Sequence, residues 1–141
     1  MFWKKFIKCW HKPGNLDTRI LIIEDSALDM KIACAAVERG GYGVLTASDG
    51  KSGLALARAH QPDLILLDYN LPDIQGPKIC SRLKEHATTR GIPVLFLTSQ
   101  DSPDSVLDCY EQGAANYLAK PISPAHLLKQ IQLTLKETHK D

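Results

Sequence analysis

Long apolar runs are missing from this chain of 141 residues. No stretch approaches the roughly 18 apolar residues that a membrane-spanning helix needs. Met1–Trp10 carries lysines, but no uninterrupted apolar core or small-residue cleavage site follows, so a secretory signal is excluded as well. Cysteine is sparse. Cys9, Cys34, Cys80 and Cys109 lie 25, 46 and 29 residues apart, which rules out a zinc knuckle and a Cys-x-x-Cys redox pair. Three of them stand in apolar, helix-like contexts, where a free thiol behaves as a small hydrophobe. This usage predicts reduced thiols in a cytosolic protein. A strong charge of either sign is lacking too, with 17 basic and 16 acidic side chains and a net charge of +1. The balance is uneven. Lys4, Lys5, Lys8, Lys12 and Arg19 face only Asp17 near the N-terminus, leaving 12 basic against 15 acidic residues in the rest. A mildly acidic body argues against a nucleic-acid binder. At 44% hydrophobic and 23% charged, the composition is that of a globular protein.

What is present is an alternation. From Arg19 onward five short apolar runs recur: Ile20–Ile23, Val44–Ala47, Leu64–Leu67, Val94–Leu97 and Tyr117–Ala119. Three are continuously apolar, as strands covered on both faces of a parallel sheet are. Helix punctuation falls between them. Ser26 with Asp29 forms a capping-box pattern, and Gly40-Gly41 suits a helix stop. Ser102-Pro103 and Ser123-Pro124 each place an N-cap residue before a proline at the first helical position. In the last amphipathic stretch Leu127, Leu128, Ile131 and Leu135 share one face. The order predicts a doubly wound α/β sandwich, (βα)5, in one domain over 19–138, with an extension over 1–18.

In an open α/β sheet, ligands bind beyond the carboxyl ends of the strands. Glu24-Asp25 follow the first run, Asp68 the third, Thr98-Ser99 the fourth and Lys120-Pro121 the fifth. Each taken alone reads as a cap, a turn residue or a solvated side chain. Together they set three carboxylates, a hydroxyl and an ammonium at one rim. Like charges 4 Å apart repel by about 1 kcal/mol in water and about 4 kcal/mol at an effective dielectric near 20. A divalent cation relieves this, and an all-oxygen donor set suits Mg²⁺. A carboxylate beside Mg²⁺ and a lysine can act as a nucleophile on phosphorus, while cation and ammonium neutralise the transferring group. The rim has the makings of a phosphoryl-acceptor site.

These residues carry a resemblance. The pair Glu24-Asp25, the segment Asp68-Tyr69-Asn70-Leu71-Pro72 with Gly76, then Thr98, and Tyr117-Leu118-Ala119-Lys120-Pro121 are similar to the receiver domain of two-component response regulators, from about Arg19 to Lys136. The resemblance implies a flavodoxin-like sheet of order 2-1-3-4-5. It implies that Asp68 takes a phosphoryl group from a histidine on a kinase or phosphotransfer protein. Mg²⁺ would be held by the Asp25 and Asp68 carboxylates, the Asn70 backbone carbonyl and, through water, Glu24. Lys120 would pair with Asp68 or its phosphate, Thr98 would move to the phosphoryl group, and Tyr117 would rotate inward behind it. The surface of the fourth helix, fifth strand and fifth helix would change and meet a downstream protein. A cis bond before Pro121 is implied as well.

Two positions depart mildly from the commonest family pattern: Glu24 stands where Asp is more frequent, and Ser99 where Ala or Gly is usual. The resemblance implies that Asn70 and Gln100 flank the path of an attacking water and tune dephosphorylation. The leading reading is a stand-alone receiver, a monomer or a dimer, that signals by protein contact or passes the phosphoryl group on. An Asp-nucleophile phosphatase of the haloacid dehalogenase type is a second class, but it needs an Asp two residues after the nucleophile, where this chain has Asn70. A phosphorylation-independent interaction domain is the third. Outside the pattern, Phe2, Trp3, Phe6, Ile7 and Trp10 fall on one helical arc of about 140°, with Lys4, Lys5, Lys8, His11 and Lys12 opposite. This segment either packs on its own domain or stays disordered, as isolated helices this short are marginal, or it docks a partner or touches an anionic membrane surface.

Overall fold

Each apolar run becomes a strand, and each amphipathic stretch a helix that covers it. The structure, a computed structural model, describes residues 17–99 and 102–138. The order is β1 (Arg19–Ile23), α1 (Ala27–Arg39), β2 (Gly43–Ala47), α2 (Gly50–His60), β3 (Leu64–Asp68), α3 (Gly76–Lys84), β4 (Val94–Thr98), α4 (Pro103–Glu111), β5 (Asn116–Ala119) and α5 (Pro124–Thr138). All four strand pairings are parallel, in the order β2-β1-β3-β4-β5. The doubly wound sheet is therefore the one expected.

Alternate residues of the strands feed two separate cores. Leu21, Ile23, Ile65, Leu67, Val94 and Phe96 pack with Leu54 of α2, Ile79 and Leu83 of α3 and Cys109 of α4. Ile20, Ile22, Leu64, Leu66, Leu95 and Leu97 pack with Ala33 and Val37 of α1 and Leu127, Ile131 and Leu135 of α5. Each fully buried Leu or Ile contributes about 1.5–3 kcal/mol. That burial on both faces is what pins the inner strands.

The predicted caps hold, with one correction. Ser102 caps α4 by accepting from the Ser105 N–H, and Gly41 (φ 87°) takes the left-handed turn after α1. Ser26 caps α1 by accepting from the Asp29 N–H at 3.2 Å. The return half of the capping box is absent, because the Ser26 N–H donates to Glu24 Oε2 at 3.1 Å and the Asp29 carboxylate is drawn to Lys120. An ammonium outcompetes a backbone amide for a carboxylate. Cys34, Cys80 and Cys109 are free thiols, and among the described residues no helix is long and apolar enough to cross a membrane. The amphipathic segment at residues 2–12, and Gln100, lie outside the described residues.

Candidate functional site

Sheet register brings the polar residues together. Ile23 pairs with Leu67 and Asp68 with Leu97, so Glu24 and Asp68 emerge side by side from strands about 5 Å apart. Thr98 pairs with Ala119, and its carbonyl accepts from the Lys120 N–H at 2.9 Å, which delivers Lys120 to the same rim. Glu24 is held from below by its own N–H, which donates to the Ala47 carbonyl at 3.0 Å. Glu24, Asp25 and Asp68 each place a carboxylate oxygen within 4.8 Å of the others. Glu24 is 1% exposed and Asp68 5% exposed, while Asp25 faces solvent.

Lys120 Nζ is the counter-charge. It lies 3.0 Å from Glu24 Oε1, 2.9 Å from Asp29 Oδ2 and 3.4 Å from Asp68 Oδ1. Its directed bond to Glu24 goes to Oε2 at 3.2 Å, which leaves the buried Oε1 in ionic proximity but without a hydrogen bond. Burial pushes the Asp68 carboxyl up to about 7, helped by the Glu24 charge and a hydrogen bond with Glu24, with Lys120 and the Asn70 N–H pulling the other way. Burial works against the Lys120 charge, but bonds to Asp29 and Glu24 and the charges of Asp68 and Glu24 outweigh it and hold the ammonium above its usual range.

The remaining predicted residues fall around this centre. Thr98 is fully buried at the end of β4, and Ser99 beyond it is exposed. Tyr117 is half-buried on β5, with its ring edge-on to Tyr110 of α4 at a centroid distance of 6.2 Å. The Lys120-Pro121 bond is cis. Asn70 is exposed in the loop after β3, and its N–H points to Asp68 Oδ1 at 3.4 Å. That loop closes tightly at Gly76, whose N–H donates to the Tyr69 carbonyl at 2.7 Å. A Cβ at position 76 would stand 2.5 Å from the Asp68 carbonyl oxygen and 2.9 Å from Phe96, so only glycine fits.

Two carboxylates escaped the sequence reading. The Ser26-x-x-Asp29 pattern predicts a cap role for Asp29, which instead completes the lysine's shell. Asp73 reaches across to α2, accepting from the Gly50 N–H at 2.8 Å and the Lys51 N–H at 2.9 Å. Those two bonds lower its pKa, the Gly50 one most. Asp73 thus tethers the loop carrying Asn70 to the N-terminus of a neighbouring helix. Neither contact has a local signature, since both partners are remote in the chain.

A buried carboxylate oxygen without a hydrogen bond, three all-oxygen donors and an acid held back from ionising fit a small hard cation. Residues 20–132 match the response regulator receiver domain. Protein PilH of Pseudomonas aeruginosa is 38% identical over 117 residues, covering 83% of this chain and 97% of PilH. Several other curated relatives are longer, and the chain spans half of their length or less. Among solved structures, a CheY-like receiver domain protein of Methanospirillum hungatei has a TM-score of 0.82 at 28% identity, covering 87% of this chain and 97% of its own. The receiver domain of a sensor histidine kinase from Pseudomonas aeruginosa PAO1, solved with a magnesium ion coordinated in the active-site cleft, has a TM-score of 0.74 at 27% identity over 85% of this chain and 95% of its own. With most of its length matched and its acidic rim in place, this chain belongs to the response regulator receiver domain family.

Proposed function

We propose that residues 19–138 form a Mg²⁺-dependent phosphoacceptor domain that signals in trans, with Asp68 as the residue phosphorylated and residues 1–18 as an extension to it. The observation that carries this reading is the meeting of three carboxylates within 4.8 Å, with an ammonium 3.4 Å from the least exposed strand-end aspartate. Asp25, Asp68 and the Asn70 carbonyl would hold the cation. Glu24, whose oxygens already engage Lys120 and the Ser26 N–H, stands behind them and would reach it through water. When bound, Mg²⁺ supplies charge neutralisation at the phosphoryl oxygens.

Asp68 then acts as the nucleophile. One of its oxygens forms a bond to phosphorus as the bond from phosphorus to the donor imidazole nitrogen breaks, and the electron pair leaves with the imidazole. Lys120 follows the charge onto the new phosphoryl group, because the acyl phosphate carries more negative charge than the carboxylate it replaces. The Thr98 hydroxyl donates to a phosphoryl oxygen, and Tyr117 turns inward from its contact with Tyr110. The surface of α4, β5 and α5 changes with it and meets a downstream protein. The domain is a phosphoacceptor and not a turnover enzyme, since position 70 offers an amide where a phosphatase needs a general acid.

The test is intact mass after incubation with Mg²⁺ and a small-molecule phosphodonor. The expected result is one added phosphoryl group per chain, lost in Asp68→Asn and with a chelator. Lys120→Ala should still take some label while losing the conformational response to it. An unlabelled chain that binds Mg²⁺ and is folded would make this a domain that signals by contact alone.

A further inference from the structure

Lys120 has more acidic neighbours than its reaction calls for. Its shortest contact is not with the phosphoacceptor but with Asp29 on the first turn of α1, at 2.9 Å, against 3.4 Å to Asp68. Three ammonium protons are available. Glu24 draws the ammonium with both oxygens, at 3.0 and 3.2 Å, and Asp29 at 2.9 Å, so the approach to Asp68 at 3.4 Å is the longest of the set. Asp29 is only partly exposed, with 21% of its side chain reached by solvent, and Lys120 is at 16%. Both therefore sit where a charge pair is incompletely screened.

We infer that Asp29 is a positioning residue that holds the Lys120 ammonium away from Asp68 before phosphorylation, keeping the phosphoacceptor oxygens open to the cation and to phosphorus. The inference rests on the receiver reading of the site. Without the Asp29 carboxylate, the ammonium keeps Glu24, which it already engages at 3.0 and 3.2 Å, and Asp68 at 3.4 Å is the one other carboxylate within its reach among the described residues, so it moves toward Asp68. A lysine seated there competes with a divalent cation for the same oxygens and ties up the lone pair that must attack. Both effects have one sign: Asp29→Asn weakens Mg²⁺ binding and slows labelling. A partly screened pair of this kind is worth roughly a factor of 3 to 10 in either quantity.

The experiment is a double-mutant cycle in the full chain, using wild type, Asp29→Asn, Lys120→Ala and the double variant. Mg²⁺ affinity is read by calorimetry, and labelling by intact mass with a small-molecule phosphodonor. Thermal unfolding checks that each variant is folded. The expected result is a roughly 3- to 10-fold loss of Mg²⁺ affinity for Asp29→Asn with Lys120 present. With Lys120 removed, the same change should cost less than about 2-fold. Asp29→Glu, which keeps the carboxylate, should recover most of the affinity. An equal loss in both lysine backgrounds, or no loss in either, overturns the positioning role. The readouts separate the two ideas. Coupling in Mg²⁺ affinity without any label on the wild type would uphold the placement of Lys120 and defeat the phosphoacceptor reading, whereas a labelled wild type with no coupling would do the reverse.

Discussion

Replacing Asp68 by asparagine keeps the shape of the side chain and removes the charge that burial and Glu24 oppose. In the cation-free protein this carboxyl titrates near 7 and in the unfolded chain near its ordinary 3.8. The native state therefore binds the proton more tightly, and stability falls as pH rises from about 4 to about 7. At about 1.4 kcal/mol per pH unit the full penalty is about 4 kcal/mol, and water at the open rim reduces it to about 1–3 kcal/mol. Asp68→Asn should thus stabilise the metal-free protein, and the gain should grow between pH 5 and pH 8. At about 3–4 °C per kcal/mol for a domain of this size, the melting temperature at pH 8 rises by about 3–12 °C. The assay is thermal and urea unfolding of both proteins in chelator, across that pH range. A variant that is no more stable at pH 8, or whose advantage is the same at pH 5, would refute the electrostatic account of the rim. Adding Mg²⁺ should raise the wild type far more than the variant, since binding to the native state alone stabilises by mass action.

Three further outcomes follow from the packing. Gly76→Ala drives a Cβ against the Asp68 carbonyl and Phe96 and should destabilise by about 2–4 kcal/mol in urea unfolding, with a parallel loss of Mg²⁺ affinity as the loop shifts. Asp73→Ala frees the Gly50 and Lys51 amides, so their hydrogen exchange should quicken while that of the β3 amides does not. Because the Asp73 pKa is lowered on folding, its support is present at neutral pH and lost as the solution is acidified below its ordinary range. Cys80 and Cys109 are fully buried, with burial pushing both thiols up to about 11. Alkylation at pH 8 should spare them in the native protein and reach them only in denaturant, as peptide mass mapping would show.

The inner strands were legible because β3 and β4 are buried on both faces and so contain no polar alternation to confuse with a helix. Their order was not: nothing in five apolar runs says that β1 lies between β2 and β3, and that part came with the family resemblance. Glu24, Asp68, Thr98 and Lys120 were legible for a topological reason, since parallel strands all end at the same rim. Asp29 reads as a cap residue because Ser26-x-x-Asp29 is a sound local pattern for a cap. Its partner lies at the far end of the chain, and only the folded sheet brings Lys120 to it. Asp73 gives no local sign either, because it caps a helix that precedes it by one strand. Gly76 illustrates the opposite case. Its place in the motif was visible, but the physical reason, a backbone oxygen 2.5 Å from where a Cβ would be, appears only in three dimensions.

The order of strands has a consequence for how the rim can yield. Asp68 ends β3, which is bonded to β1 on one side and β4 on the other, and Thr98 ends β4, flanked by β3 and β5. Displacing either breaks rungs on two flanks. Tyr117 lies on, and Lys120 directly follows, the other kind of strand: β5 is an edge of the sheet and is bonded along one flank only. Per residue moved, it surrenders half as many backbone bonds. The rim therefore resembles a vice with a fixed jaw and a sliding one, and any rearrangement of its charges will be taken up at β5 and the helices beside it, leaving Asp68 where it stands.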